Sequence, residues 1–370
     1  AQNPIEPFKV YVRIRPFLPK ELTQLTRKNS ASSLSTVTPS PKPKSVFAIE
    51  DNILFLIDPT INSRKDKEYI FDGIFDQEHN NQKVFEDSIK PIIDNVLNGY
   101  NSTALAYGVT GTGKTHTIFG DLAKQNTGEQ GIIINATDYL FTTMQSINDI
   151  VFKVKVSYLE IYNETVFDLL NSEAVPLMIV EDAVRGVIVP ELKEFEVHNS
   201  DELINLIIKG NSKRTMAPTN QNQFSSRSHA ILQISVEQKR KVRDIKEEII
   251  FSKFLVVDLA GSERGGLEKG IRREEGANIN KSLLSLGNCI NLLSDKTKAG
   301  TFVPYRDSKL TRLLKDSLGG NILTVMLACV SPAAMSYDDS VNTLNYATRA
   351  RKIQTKVAKK SDFGLSEEKK

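Results

Sequence analysis

Gly108-Val-Thr-Gly-Thr-Gly-Lys-Thr115 fits the pattern G-x-x-x-x-G-K-[ST], and its surroundings decide what the match is worth. Ala104–Tyr107 in front of it is a short apolar run that reads as a strand, and Lys114 onward reads as the start of a helix. Strand, tight turn and helix in that order aim backbone N–H groups at a phosphate, beside the positive end of the helix dipole. Gly108, Gly111 and Gly113 let the backbone wrap closely, with Val109, Thr110 and Thr112 between them. Lys114 is placed to reach β- and γ-phosphate oxygens, and Thr115 to ligate Mg2+.

Two polar segments further along could sense the terminal phosphate. Asp258-Leu-Ala-Gly261 follows the apolar run Phe254–Val257. An Asp ending a buried strand can hold a Mg2+ ion through water, and the Gly261 N–H can bond a γ-phosphate. The plainer alternative is a strand-ending turn. Asn222-Gln-Phe-Ser-Ser-Arg-Ser-His229 is dense in polar groups, and by composition it suits a solvated loop equally well. Its serines, Ser225 and Ser226, could meet Mg2+ or a phosphate oxygen, and Arg227 could pair with Glu263. Asn280-Lys-Ser-Leu283 begins like the guanine-reading [NT]-K-x-D but ends in Leu, which favours ATP over GTP.

The 370 residues are 40% hydrophobic and 25% charged, as in soluble globular proteins. A net charge of +3 is too small to imply nucleic acid. Two cysteines, Cys289 and Cys329, exclude a disulfide scaffold and read as small core residues in a reduced, cytosolic setting. Ala1–Pro7 lacks the apolar stretch of a signal peptide, and Val325–Val330 is far short of the roughly 20 residues of a membrane span. Both ends read as cuts from a longer protein.

Strands are expected at Phe8–Ile14, Ile53–Ile57, Tyr69–Phe71, Ala104–Tyr107, Phe152–Ile161, Ala230–Gln238, Ile249–Leu259 and Leu323–Val330. Helical periodicity marks Val84–Leu97, Asp201–Lys209, Asn278–Leu293 and Ser308–Leu318. The alternation predicts an α/β fold: a central, mostly parallel, eight-stranded sheet with helices on both faces. Leu22–Lys44 reads as an inserted surface loop and Lys239–Glu248 as a charged hairpin connection. The domain expected is 8–351, after an N-terminal extension at 1–7 and before a polar tail at 352–370.

Taken together these segments resemble the kinesin motor domain over about residues 8–355. The resemblance is carried by Tyr107–Thr117, Ser225-Ser-Arg-Ser-His229, Asp258-Leu-Ala-Gly-Ser-Glu263 and Tyr305-Arg-Asp-Ser-Lys-Leu-Thr-Arg-Leu-Leu314. Ser157-Tyr-Leu-Glu-Ile-Tyr-Asn-Glu164 and Asn278-Ile-Asn-Lys-Ser-Leu283 add to it. Within kinesins the chain is most similar to the kinesin-8 class. The cues are Ile53–Pro59, Lys90–Ile92 with Asn98–Asn101, Leu313–Gly320 and Tyr337–Tyr346.

The resemblance implies a P-loop ATPase using ATP and Mg2+, stimulated by microtubules and moving along them. It implies that Arg13, Pro16 and His116 contact the adenine, with Arg15 in the same motif, and that Asn222, Ser225 and Ser226 join the nucleotide site. Ser226 and Arg227 fall in the first switch segment, and Arg227 pairs with Glu263 of the second to position the attacking water. Thr115 and Ser226, and Asp258 through water, would hold the metal. The helix from about Asn278 to Leu293 would slide against the track.

Tubulin surfaces are acidic, so bases must cluster on one face. Lys296, Lys298, Arg306, Lys309, Arg312 and Lys315 form such a cluster, with Leu310, Leu313 and Leu314 as the buried side of the helix. By pattern alone this is also a solvated helix face. The resemblance places Arg306, Lys309 and Arg312 against tubulin, with Lys269, Arg272, Arg273 and Arg185 joining them; Val180 stands where some members have His. Arg349–Lys360 holds six bases and no acid. That stretch could suit a nucleic acid or a membrane, but it lies where the family's neck linker begins, with Ile353 as its docking residue.

The partners implied are therefore tubulin and microtubules, with no nucleic acid and no membrane. The full-length protein would form a homodimer through regions beyond this chain. The setting would be cytoplasmic and cytoskeletal, on microtubules of a spindle or axoneme among others. Three functions stay open: a motor, a depolymerase that does not walk, and a tether with little turnover. The basic loop Pro59–Glu68, with Arg64, Lys65 and Lys67, is short for a depolymerase.

Overall fold

The computed structural model describes residues 5–22, 44–59, 67–122, 129–182, 186–215, 225–241, 248–263, 271–356 and 360–363. Eleven strands form the main sheet: β1 (Lys9–Ile14), β2 (Gly73–Phe75), β3 (Ser102–Tyr107), β4 (Ile150–Tyr162), β5 (Thr165–Asp168), β6 (Pro176–Leu177), β7 (Phe195–Val197), β8 (Ser228–Arg240), β9 (Glu248–Asp258), β10 (Leu323–Val330) and β11 (Lys360–Phe363). Their order is β6-β5-β4-β8-β9-β3-β10-β1-β2, with β7 beside β4 and β11 beside β9.

Helices cover both faces, as the α/β pattern predicts. On one face lie α1 (Lys90–Leu97), α2 (Lys114–Phe119), α3 (Ile132–Ser146) and α4 (Ser200–Thr215). On the other lie α5 (Ile271–Ser294), α6 (Lys309–Leu313), α7 (Lys315–Gly319) and α8 (Tyr337–Ala350). The two-residue period of a strand divides β3 between them: Leu105 and Tyr107 join one core, Ala104 and Ala106 the other.

The sheet departs from expectation in being mixed and larger than eight strands. Four ladders, β9–β3, β3–β10, β10–β1 and β1–β2, are parallel, and the other six are antiparallel. The reason is local. Asn163 and Glu164 both take left-handed backbone (φ 51° and 56°) and reverse the chain between β4 and β5. The charged connection after β8 returns as β9 beside it. The strands expected near residues 53 and 69 are real but lie in a separate three-stranded sheet, where Ile53–Leu56 is the middle strand between Phe47–Glu50 and Lys67–Ile70. The helix expected over Ser308–Leu318 is broken into α6 and α7 at Leu314.

The parallel strands position the site. The C-terminal ends of β1, β3, β9 and β10 open on one edge, where α/β sheets bind ligands. At the other end of the chain, Ile5–Pro7 pairs antiparallel with Gln354–Lys356, and Phe8 N–H donates to Ile353 O at 3.0 Å. The Ile353 side chain is buried in the α8-side core. Residues 22–44 lie mainly, and 59–68 largely, outside the described residues.

Candidate nucleotide site and basic face

Residues 108–113 turn from β3 into α2, as the strand–loop–helix reading requires. Gly113 caps α2 with φ +94°, open to glycine at little cost. Gly108 has φ +149°, and a Cβ there would lie 2.3 Å from the Cys329 carbonyl oxygen of β10. That contact is with backbone and cannot be relieved by a rotamer. Gly108→Ala is expected to weaken binding of a fluorescent ADP analogue at least about tenfold, because a small shift of the loop misaims several amides together. Unchanged binding would show that the loop can relax.

Lys114 is buried, its Nζ donating to Gly108 O (2.8 Å) and Val109 O (3.0 Å). Burial lowers its pKa, against the pull of Asp258. Thr115 Oγ1 donates to Asp258 Oδ2 at 2.8 Å, joining the start of α2 to the end of β9. Asp258 Oδ1 is buried and has no partner among the described residues. A buried carboxylate oxygen left open beside a Thr hydroxyl fits the water shell of a Mg2+ ion, so the residues present suit that metal.

The residues expected at the adenine are also brought together. Arg13, Arg15, Pro16, Thr112, Gly113 and His116 line one cleft with Asn80, Thr117 and Glu129. Arg13 is buried and bonds Asn81 Oδ1 and Thr117 Oγ1 (2.8 Å). Arg15 is fixed by both oxygens of Glu21 (2.9 and 2.6 Å) and by Gly111 O (2.7 Å). His116 meets Glu129 Oε2 at 3.0 Å.

The two polar segments meet through their backbones. Gly261 N–H donates to Ser226 O at 2.8 Å, so in this structure that amide is held by the first segment. The expected Arg227–Glu263 pair is not made here. Glu263 is taken by the phosphate loop, accepting Thr110 N–H at 2.8 Å and the Thr110 hydroxyl. Thr110 simply competes for the same carboxylate. Asn222 lies outside the described residues, and Ser225 is described only in its backbone.

Sequence reasoning missed the centre of the cluster. Arg214, at the end of α4, is 1% exposed and binds Asp258 Oδ2 at 2.7 Å, with Ser228 Oγ at 3.2 Å and Ser228 O at 3.0 Å. Glu160 of β4 is 3.6 Å away. Burial pulls the guanidinium pKa down, but Asp258, Tyr158 and Glu160 together raise it. The signal available was Glu160 itself, a carboxylate inside the apolar run Tyr158–Ile161 that demands a buried cation. His229 ends the polar segment Asn222–His229, where its position gives no sign of burial. It is buried, with its pKa lowered to about 3 by burial, helped by Arg214 and Lys114.

A family profile described as the kinesin motor domain matches residues 13–353. This chain belongs to the kinesin motor-domain family. Kinesin-like protein 5 of Schizosaccharomyces pombe is 49% identical over 79% of the chain and 33% of that protein. KIF18A of Mus musculus is 42% identical over 94% of the chain and 39% of its own length, and KIP3 of Saccharomyces cerevisiae 45% over 78% and 36%. These relatives are kinesin-8 members, the class the sequence most resembles. The chain thus spans 33–39% of the curated relatives named here. Among solved structures, a KIF14 dimer with AMP-PNP in complex with a microtubule aligns with TM-score 0.84 at 32% identity, covering 98% of each chain. A fast kinesin aligns with TM-score 0.83 at 33% identity, over 98% of this chain and 96% of that one. Kinesin motor domains are microtubule-based motors and generally ATPases.

In this kinesin fold the basic residues of 296–315 lie on or beside α5, α6 and α7, with Leu310 and Leu314 buried beneath. Lys296 and Lys298 are exposed on the turn after α5, Lys298 lying 3.5 Å from Asp295. Arg306 pairs with Glu181, and Lys315 approaches the same carboxylate at 3.5 Å. Arg312 is half-buried and donates to Ile179 O at 3.1 Å, so it also braces the loop beneath. Lys309 N–H is capped by Glu164 Oε2 at 2.9 Å. Arg272 and Arg273 lie in α5, described there only as backbone; Arg185 and Lys269 fall outside the described residues. Both cysteines are buried and free. Among the described residues no helix is long and apolar enough to cross a membrane.

Proposed function

We propose that this chain is a microtubule-stimulated ATPase that converts hydrolysis of Mg-ATP into movement along microtubules. The observation that carries the reading is the Thr115–Asp258 contact at 2.8 Å with Asp258 Oδ1 left open beside the phosphate loop. Thr115 would ligate Mg2+ and Asp258 would hold it through water, while Ser226 completes the shell. The metal neutralises phosphate charge. Lys114 would exchange its loop carbonyls for phosphate oxygens, and Gly261 its bond to Ser226 for the γ-phosphate. Arg227 and Glu263 would then pair once Glu263 leaves Thr110, holding the attacking water in line.

Lys296, Lys298, Arg306, Lys309 and Arg312, with Arg185, Lys269, Arg272 and Arg273, would face tubulin. The segment that begins at 352 would serve as the neck linker, a reading supported by the burial of Ile353 and by the pairing of Gln354–Lys356 with Ile5–Pro7. The full-length protein would act as a homodimer on the microtubule cytoskeleton. Intact Lys114, Thr115 and Asp258 weigh against a tether, and no observation favours a depolymerase.

The test is steady-state ATP turnover with and without polymerised microtubules at 25 and 150 mM salt. Stimulation of at least about tenfold that weakens as the Debye length shortens to about 8 Å is expected. Bound ATP without stimulation would contradict the reading.

A further inference from the structure

Three of the motifs that mark the sequence meet at one imidazole. His229 closes the segment Ser225–His229 and stands at the start of β8, its backbone paired with Ile161. Its Nδ1 accepts the Ala260 N–H at 3.0 Å, from the loop after Asp258. The ring proton therefore sits on Nε2, which donates to Ser282 Oγ of α5 at 2.8 Å. Ser282 in turn donates to Ile279 O at 2.8 Å, so the direction of every bond is fixed.

A buried histidine needs two partners, and a purely structural one would take any two nearby. Here both belong to elements outside its own strand, and both are elements the proposed cycle has to move. The ring is a planar spacer anchored in β8. A shift of Ala260 beyond hydrogen-bond tolerance must either tilt the ring and draw on Ser282 or break a bond in a dry site. Burial, helped by Arg214 and Lys114, keeps the ring neutral, and the Ala260 N–H at Nδ1 holds it in one tautomer.

We propose that His229 is a positioning residue that couples the loop after Asp258 to α5, so that a change at the phosphate site reaches Ser282. The inference rests on the nucleotide reading above. The lever end is α5, which runs on to the exposed bases Lys296 and Lys298.

Ser282→Ala cuts the α5 end of the bridge without touching the nucleotide site. Amide hydrogen exchange across 279–294 would be measured with Mg-ADP and with Mg-AMP-PNP. In the parent chain the two states differ. In Ser282→Ala the difference falls at least about fivefold, while affinity for a fluorescent ADP analogue stays within about twofold. Ser282→Thr, which keeps the hydroxyl, restores the difference. A merely structural bond would raise exchange equally in both states and leave the difference intact, which overturns the inference. Failure of the parent to bind the ADP analogue would overturn the nucleotide reading itself, a separate and distinguishable result.

Discussion

Glu263→Ala is expected to bind ATP almost as tightly as the parent and to lose microtubule-stimulated turnover by about 10²–10⁴-fold, the usual scale for a group that positions or activates the attacking water. The carboxylate sits at the mouth of the phosphate loop, held by the amide and hydroxyl of Thr110. It does not line the cleft proposed for the adenine, so base contacts should survive its removal. Binding would be followed with a fluorescent ADP analogue, and turnover by phosphate release. Normal turnover would mean that the switch pairing plays no part in hydrolysis. Loss of binding together with turnover would mean that Glu263 mainly braces the loop through Thr110.

Arg214→Met should have the largest effect on stability. The guanidinium is buried between Asp258 and Glu160, with side-chain distances of 2.7 and 3.6 Å. Removing it leaves two buried carboxylates without their cation, a loss of about 3–5 kcal/mol. For a domain of this size that corresponds to a fall of roughly 4–7 °C in apparent melting temperature. Asp258 would also lose one of the two groups that hold Oδ2, keeping only Thr115, so Oδ1 should drift and the Mg2+ concentration needed for nucleotide binding should rise. An unchanged melting temperature would show that the cluster rearranges or takes in water.

The sequence exposed the parts of the molecule that are local. The phosphate loop was legible because strand, glycines, lysine and helix are contiguous. β10 was legible because a strand buried on both faces is one apolar run; the spans expected at 152–161 and 230–238 fall within β4 and β8, and that at 249–259 overruns β9 by one residue. α3 was not legible: Ile132-Ile-Ile-Asn-Ala-Thr137 is buried almost all round and carries no amphipathic stripe. β2, β6 and β7 are two or three residues long and exist only through their neighbours.

At the site, the residues expected at the phosphate could be read from spacing, but their support could not. A Lys-Arg pair in the last turn of a helix, Lys213-Arg214, looks like a solvated helix end. Only the fold brings Asp258 and Glu160 from separate strands onto that arginine. The Arg227–Glu263 pair is absent from this conformation for another reason. Glu263 has two possible partners, and composition does not say which holds it in a given conformation.

The most direct test of the motor reading is a gliding assay with the 1–370 chain fixed to a surface at its C-terminal end. With ATP, microtubules should glide; with AMP-PNP they should bind and stop, and Lys114→Ala should give no movement. Microtubules that bind in ATP yet stay still and keep their length, while ATP turns over, would contradict the proposed coupling between hydrolysis and movement.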